Sequence, residues 1–151
     1  MNLFEKLQFS FFLKHLNIGK IDTLTGVEFE EFVADFFSYL GYKSELTKTS
    51  GDNGIDVVVK GRGYSVGIQT KLYYNHNVSN KAIQEVFTGK SYYKIDYAMA
   101  ITNWKFSNPA KELAKELKVV IIDRNLLSIM IKNSRKDNKR LIKLLLKECV
   151  W

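Results

Sequence analysis

The segment SGDNGIDVVVKGRGYSVGIQTKL, residues 50–72, contains the two strands on which the prediction of the fold depends. Residues 55–59 are strongly β-prone, and residues 64–72 follow them after a glycine-containing turn. The two runs therefore predict an antiparallel pair of strands.

The length of the turn decides which side chains share a face of this pair. If residues 62–63 alone form the loop, Asp56 pairs with Gln69 across the two strands. A three-residue loop would place Ile68 opposite Asp56 instead, and a bulge would be needed to bring the polar side chains together. Side chains alternate along a strand, so Gln69 and Lys71 point to the same face. We expect Asp56, Gln69 and Lys71 on one shared face of the sheet.

An amphipathic helix precedes the two strands. Thr25 and Glu28 have capping-box spacing, with a hydroxyl at the N-cap and a carboxylate three residues later. Gly41 is placed to end the helix as its C′ residue. The apolar face between them is formed by residues at helical spacing: Phe29, Phe32, Val33, Phe36, Phe37 and Leu40.

Strands and helices alternate over the rest of the chain. The pattern predicts strands at 42–47, 97–102 and 119–122, the last buried on both faces, and helices at 80–93, 108–117, 126–131 and 141–146. Asn108 and Pro109 have the N-cap and N1 chemistry of a helix start. This order predicts an α/β sandwich in which helices flank a mixed central sheet. We divide the chain into a helical lead-in (1–23), a central domain (24–131) and a basic C-terminal helix packed on that domain (132–151).

The composition favours a polyanionic partner. The 151 residues suit one domain, and the net charge is +7. The single cysteine, Cys149, excludes an intramolecular disulfide and fits a reducing cytoplasm. No apolar run is long enough to span a membrane. Basic side chains are concentrated near the C-terminus, at Lys132, Arg135, Lys136, Lys139, Arg140, Lys143 and Lys147.

Asp56, Gln69 and Lys71 are residue types suited to phosphodiester hydrolysis. A carboxylate and an amide oxygen can hold Mg²⁺, which prefers oxygen ligands. The ion polarises the phosphate and lowers the pKa of a bound water, and a lysine beside it can orient that water or screen charge. A buried Asp–Lys pair can also be purely structural, and these three residues alone do not separate the two interpretations.

The flanking sequence favours the catalytic interpretation. Six segments resemble, in matching order, the catalytic domain of Mrr-type restriction endonucleases: LTGVEFEEFV (24–33), SGDNGIDVVV (50–59), IQTK (68–71), VSNKAIQEV (78–86), ITN (101–103) and FS (106–107). The resemblance covers residues 24–127. It implies the PD-(D/E)xK nuclease fold, an α/β restriction-endonuclease-like three-layer sandwich, in the variant in which glutamine replaces the second acidic residue of the motif.

Carried over residue by residue, the resemblance implies a role for each member of the motif. Asp56 is the implied principal metal ligand, Gln69 the variant second ligand, and the backbone carbonyl of Thr70 a companion ligand. Lys71 is the implied catalytic lysine. The implied cofactor is Mg²⁺, with Mn²⁺ as a substitute.

The family also uses a glutamate from its first helix, and three glutamates of this sequence compete for that role. Glu28 already has a structural explanation in the capping box. Glu31 falls opposite the apolar face, where a solvated carboxylate is the ordinary interpretation. Glu30 lies at the edge of the apolar stripe and could reach over the sheet, so we select Glu30 as the fourth catalytic residue and metal ligand.

Three further residues are candidates for contacts with the substrate. Gln84 lies on the helix after the motif, within a matched segment, and could approach the scissile phosphate. Ser50 and Gly51 precede the first strand, where backbone N–H groups could meet a phosphate. A simple turn also explains most of that run.

The sequence therefore predicts a Mg²⁺-dependent DNA endonuclease of restriction type. Cleavage of both strands by a small domain needs two sites, so we expect a homodimer, with the aromatic N-terminal segment as a candidate interface. Two alternatives stay open: a Holliday junction resolvase-like nuclease that selects branched DNA, and a DNA-binding subunit that has lost catalysis through Gln69. Mrr-type enzymes often carry a separate winged-helix domain that reads DNA, for which we expect no room in this chain.

Overall fold

Helices and strands follow one another in the order that the sequence predicts. The computed structural model describes residues 1–47 and 53–135, without the side chain of Arg135. Within these ranges the elements are α1 (Leu3–His15), α2 (Ile18–Ile21), α3 (Gly26–Tyr39), β1 (Lys43–Leu46), β2 (Val57–Lys60), β3 (Ser65–Lys71), α4 (Asn80–Tyr92), β4 (Tyr97–Thr102), α5 (Asn108–Glu116), β5 (Val120–Ile122) and α6 (Arg124–Arg135). No helix in the described ranges has the length and apolar character needed to cross a lipid bilayer.

The five strands form one mixed sheet in the order β1-β2-β3-β4-β5. The pairs β1–β2 and β2–β3 are antiparallel, whereas the pairs β3–β4 and β4–β5 are parallel. Parallel neighbours require crossover connections, and α4 and α5 provide them. β3 is therefore the strand at which the sheet changes from antiparallel to parallel.

Helices cover both faces of the sheet, which confirms the three-layer α/β sandwich. On one face the side chains of α1, α3 and α6 pack on Val57, Ile68 and Met99 in the larger core. On the other face α4 and α5 pack on Ala98 and Ala100 in a smaller core. Alternate residues of the same strands thus serve the two cores, as expected for a sheet buried on both sides.

The register between β2 and β3 is the one predicted for a two-residue loop. Val57 pairs with Ile68 and Lys60 pairs with Ser65. The backbone N–H of Gly61 donates to the carbonyl of Tyr64 at 2.9 Å, which closes the turn over the two residues between them. Gly63 has φ +81°, a conformation that glycine adopts without steric cost.

The capping box of α3 is also observed. The N–H of Glu28 donates to Thr25 Oγ1 at 3.3 Å, and the N–H of Thr25 donates to Glu28 Oε2 at 2.7 Å. Gly41 follows the helix with φ +95°, as predicted for its C′ residue.

The start of α5 differs from the prediction by one residue. Ser107 is the N-cap, and its Oγ accepts a hydrogen bond from the N–H of Ala110 at 3.2 Å. Asn108 is consequently the first helical residue and Pro109 the second. The prediction that Asn108 caps the helix is wrong because the adjacent serine supplies an equally suitable acceptor.

The last two predicted elements within the described residues are observed, with changes in detail. β5 packs in both cores, as predicted, since Val120 and Ile122 belong to the larger core and the partly exposed Ile121 packs against the smaller one. The closing helix begins at Arg124 and continues to Arg135 instead of ending at 131, because Leu127, Met130, Ile131 and Ser134 maintain a buried stripe at helical spacing. The predicted helix at 141–146 lies outside the described residues.

Candidate active site

Asp56 lies one residue before β2, in a backbone segment held from both sides. Its N–H donates to the carbonyl of Ile68 at 2.8 Å, and its carbonyl accepts from the N–H of Thr47 at 2.9 Å. The regular β2–β3 ladder ends at the pair of Val57 and Ile68, and the bond from Asp56 to Ile68 departs from it, so the predicted pairing of Asp56 with Gln69 is not observed.

The predicted shared face applies to Gln69 and Lys71, which alternate along β3 and both contact α4. Alternation does not extend to Asp56, because Ile55 and Val57 on either side of it pack in different cores.

Two glycines let α4 approach the segment that leads into Asp56. Gly54 has φ +80°, and a Cβ at this position would lie 2.2 Å from the backbone oxygen of Glu85. On the helix, a Cβ at Gly89 would lie 2.3 Å from the backbone oxygen of Asn53. Because real Cβ atoms do not come this close to backbone atoms, both positions require glycine for the observed packing. The contact fixes Glu85 above the strands that carry Asp56 and Gln69.

The predicted catalytic residues meet in one cleft of about 720 Å³, which we call the Asp56 cleft. It lies where the start of α3, the start of β2, the end of β3 and α4 come together. The residues that line it are Glu30, Asn53, Gly54, Asp56, Gln69, Thr70, Lys71, Lys81, Gln84, Glu85 and Thr88. All four predicted catalytic residues, and both Thr70 and Gln84, are among them.

The carboxylate of Asp56 is buried and oriented by β3. Only 6% of Asp56 is exposed, and its Oδ2 accepts from the backbone N–H of Thr70 at 2.6 Å and from Thr70 Oγ1 at 3.1 Å. A buried carboxylate that accepts two hydrogen bonds keeps a fixed position. Thr70 therefore contributes to the site through its N–H and hydroxyl, which the sequence did not predict.

Lys71 and Gln69 both contact Glu85 of α4. Lys71 Nζ lies 3.3 Å from Glu85 Oε2, and Lys81 Nζ lies 3.8 Å from Glu85 Oε1. With its nitrogen turned toward α4, the Gln69 amide donates to the carbonyl of Ala82 and to Glu85 Oε2, each at 3.3 Å. Glu85 thus joins the strand pair to the helix within the cleft.

The three glutamates of α3 separate as the sequence analysis expected. Glu28 is engaged in the capping box and Glu31 is exposed, whereas Glu30 is half-buried and lines the Asp56 cleft. On α4, Gln84 is exposed at the rim of the cleft. Ser50 and Gly51, the other predicted substrate contacts, lie outside the described residues, as do most of the basic residues near the C-terminus.

A polar clamp, made of Asp22, Asn103 and Arg124, holds the chain where it leaves β3. The fully buried Asn103 accepts from the N–H of Tyr73 and donates to its carbonyl, both at 2.8 Å, and also donates to Asp22 Oδ1 at 2.9 Å. Arg124 binds the same carboxylate through two nitrogens, at 2.7 and 2.8 Å. Because Tyr73 is only two residues after Lys71, the clamp limits where Lys71 can lie.

The clamp shifts the ionisation of its members. Partial burial raises the pKa of Asp22, but hydrogen bonds from Arg124 and Asn103 outweigh it and hold the pKa below the ordinary carboxyl value. The hydrogen bonds to Asp22 raise the pKa of Arg124 in turn. Asp22 is therefore ionised throughout the neutral range.

Glu85 and the clamp are two further features that the sequence analysis missed. Glu85 lies within a matched segment, and the buried Ala82, Val86 and Gly89 three or four residues away place it on the inward face of α4. The spacing of these residues in the sequence was sufficient to predict that Glu85 faces inward. No local pattern joins Asp22, Asn103 and Arg124, which are widely separated along the chain.

The donor atoms of the cleft fit a hydrated Mg²⁺ better than an ion enclosed by protein groups. Within residues 1–47 and 53–135, no three His, Cys, Asp or Glu side chains converge to form a metal site. The Asp56 carboxylate, the Gln69 amide oxygen and the Thr70 carbonyl are nevertheless oxygen donors on adjacent strands. Mg²⁺ is commonly bound through one or two carboxylates while it retains several waters and contacts phosphates.

Solved structures with this fold include two restriction endonucleases. The modification-dependent restriction endonuclease AspBHI matches 99% of the chain at 12% identity (TM-score 0.58), and the MspJI endonuclease, solved with a 27-mer oligonucleotide, matches 79% at 19% identity (TM-score 0.51). A protein of unknown function, AF1548, matches 62% at 20% identity (TM-score 0.55). The chain spans 40%, 31% and 55% of these three proteins, respectively. These likenesses concern the fold.

The comparison by sequence family extends over most of the chain. A search of curated proteins found no match. The family model of the Mrr catalytic domain, described as a restriction endonuclease, matches residues 21–131. This range includes Glu30, Asp56, Gln69, Lys71 and the whole of α4. The chain therefore belongs to the restriction endonuclease family of Mrr catalytic domains.

Proposed function

We propose that this protein is a divalent-metal-dependent endonuclease that hydrolyses phosphodiester bonds of DNA. The observation that carries the proposal is the Asp56 cleft, which Asp56, Gln69, Lys71 and Glu30 line together. A structural Asp–Lys pair would not require a cleft open to substrate. Membership of the restriction endonuclease family supports the same conclusion.

Each residue of the cleft has a distinct task in this proposal. Asp56, Gln69 through its amide oxygen, the Thr70 carbonyl and Glu30 would hold Mg²⁺ or Mn²⁺. When bound, the ion would supply polarisation of the scissile phosphate and a water of lowered pKa. Lys71 is held by Glu85 at the cleft, where its ammonium can orient the attacking water and balance negative charge that develops on the phosphate.

Binding of DNA is supported by the charge of the chain and of the cleft. The net charge of +7 favours a polyanion, because contacts with phosphates release counterions. Lys71 and Lys81 bring two ammonium groups to the cleft, and the side chain of Lys81 is 82% exposed. Gln84 at the rim, and Ser50 and Gly51 before β2, remain proposed contacts with the DNA backbone. Action on DNA in a reducing cytoplasm is consistent with the single cysteine.

A homodimer would provide the two sites needed to cut both strands. The N-terminal helix α1 exposes Phe4, Leu7 and Phe11 at helical spacing, each more than 60% accessible. A contiguous apolar patch of this kind is typical of an interaction surface. We expect the wild type to be dimeric by light scattering and a Phe4→Ser/Phe11→Ser variant to be monomeric. A monomeric wild type would contradict this assembly.

Plasmid cleavage tests the proposed function directly. Wild type is incubated with supercoiled DNA and Mg²⁺ or Mn²⁺, beside Asp56→Asn and Lys71→Ala. The charge-matched controls are Glu116→Gln and Lys111→Ala, at exposed positions of α5 outside the cleft. We expect the two cleft variants to lose at least about 100-fold in rate, and the controls to cleave as wild type.

The outcomes also separate the alternatives. Equal nicking by wild type and both cleft variants would exclude the Asp56 cleft as the active site. Cleavage of a four-way junction in preference to linear duplex would favour a resolvase-like enzyme. Binding of DNA without cleavage in either metal would favour an inactive DNA-binding subunit.

A further inference from the structure

Glu85 makes contacts that an ordinary surface glutamate does not make. One of its oxygens, Oε2, lies 3.3 Å from both Lys71 Nζ and the nitrogen of the Gln69 amide. Its side chain is only 33% exposed. The carboxylate therefore touches the two motif residues of β3 at once, from a helix that is held in place by the Gly54 contact.

The first consequence concerns the orientation of Gln69. An amide has a donating nitrogen and an accepting oxygen, and only the oxygen can bind a cation. The two groups that face Gln69 from α4, the Ala82 carbonyl and Glu85 Oε2, both accept hydrogen bonds. They select the orientation in which the nitrogen points to α4 and the oxygen points away from it. Without Glu85, one of these two determinants would be lost.

The second consequence concerns charge. Gln69 is neutral, so β3 itself contributes no negative charge beside Lys71. Glu85 supplies a carboxylate at the ammonium from a different element, at 3.3 Å. An ion pair that is partly open to solvent contributes little to stability. A pair that holds a functional lysine in position acts instead on the geometry of the site.

We infer that Glu85 is a positioning residue, and that Gln69 and Glu85 together take the place of the acidic residue that the common motif has at position 69. The inference rests on the proposed nuclease function. Glu85 turns the amide oxygen of Gln69 away from α4, where it would be available to hold the ion, and keeps Lys71 at the cleft. Outer partners of metal ligands typically change metal affinity or activity by about 10–100-fold when they are removed.

A set of exchange variants tests the inference. Glu85→Gln removes the carboxylate, and Gln69→Glu places a second carboxylate against Glu85. The double variant Gln69→Glu/Glu85→Gln restores one carboxylate and one amide with their positions exchanged. Glu116→Gln on α5 makes the same change in net charge away from the cleft.

Two readouts are measured for every variant. Mn²⁺ affinity is determined by electron paramagnetic resonance in the absence of DNA, and cleavage is measured as kcat and KM. We expect each single variant to lose about 10-fold or more in both Mn²⁺ affinity and kcat, with little change in KM. The double variant should recover to within about 3-fold of wild type, which a merely structural role of Glu85 would not produce. Urea midpoints confirm that each variant is folded.

Three results would overturn the inference. Glu85→Gln could bind Mn²⁺ and cleave as Glu116→Gln does. The double variant could be as defective as the two single losses combined, which would mean that the residues act independently. Wild type could fail to bind Mn²⁺. Failure of the proposed function would look different. A wild type that binds Mn²⁺ but cleaves no DNA would contradict the nuclease, while the Mn²⁺ affinities of the exchange variants would still test the role of Glu85.

Discussion

Substitution of Gly54 by alanine tests whether α4 really rests on the segment that leads into Asp56. Two penalties act at this position. The φ of +80° is unfavourable for an L-residue by about 1–2 kcal/mol. The added Cβ would also lie 2.2 Å from the backbone oxygen of Glu85, and relief of such overpacking costs about 1–3 kcal/mol. We expect Gly54→Ala to lower the free energy of unfolding by about 2–5 kcal/mol.

Gly63 provides a matched control for the backbone penalty. Its φ is +81°, nearly identical to that of Gly54, but a Cβ there would have no atom within 4 Å. Gly63→Ala should therefore cost only about 1–2 kcal/mol. Gly26, which also has open space around it but no positive φ, should tolerate alanine with almost no loss. The difference between Gly54→Ala and Gly63→Ala isolates the contact with α4.

Urea denaturation followed by circular dichroism measures these differences. With an m-value of about 2 kcal/mol/M, the contact should separate the two midpoints by roughly 0.5–1.5 M. Displacement of α4 should also lower the cleavage rate of Gly54→Ala but not of Gly63→Ala, since only the former moves Glu85. Equal midpoints for the two variants would refute the close approach of Gly54 to Glu85.

Three further predictions concern stability. Asn103→Ala should lower the free energy of unfolding by about 1–3 kcal/mol in urea titrations, because the N–H of Tyr73 loses its acceptor in a buried setting; no change would contradict the clamp. Because the pKa of Asp22 is depressed in the folded state, its stabilising effect is present above the ordinary carboxyl pKa and is lost as the pH falls through the folded value. Wild type should therefore be more stable than Asp22→Asn at neutral pH, and the difference should start to shrink as the pH falls below about 4. Lys118→Gly should raise the melting temperature slightly, since Lys118 has φ +53° at the end of α5, whereas Lys115→Gly inside the helix should lower it.

Local rules were sufficient to predict the strand pair and its register. The register follows from a two-residue turn with a glycine at positive φ, and strand alternation then places Gln69 and Lys71 on one face. Helical phase was sufficient to distinguish Glu30 from Glu31. Each of these predictions uses residues that are close in sequence or joined by a short turn, so little depends on the packing of distant elements.

Apart from the N-cap of α5, the features that were not predicted depend on contacts between distant segments. Ser107 competes with Asn108 for one N-cap, and both residue types are good caps, so preference alone could not decide. Glu85 has a predictable helical phase, but its partners are determined by how closely α4 approaches β3. That distance is determined by Gly54 and Gly89, whose importance appears only when the helix lies on the loop.

The topology explains why the site and the clamp lie at the same edge of the sheet. β2 and β3 are antiparallel, so the start of β2, where Asp56 lies, meets the end of β3, where Lys71 lies. β3 and β4 are parallel, so the end of β4 lies at the same edge and delivers Asn103 next to the chain that leaves Lys71. The crossover helix α4 must also begin beyond this edge, which brings Glu85 over the two strands. A single change of strand direction at β3 thus brings together a carboxylate, a lysine, a helix that contacts both motif residues of β3, and a polar clamp that holds the exit from the strand.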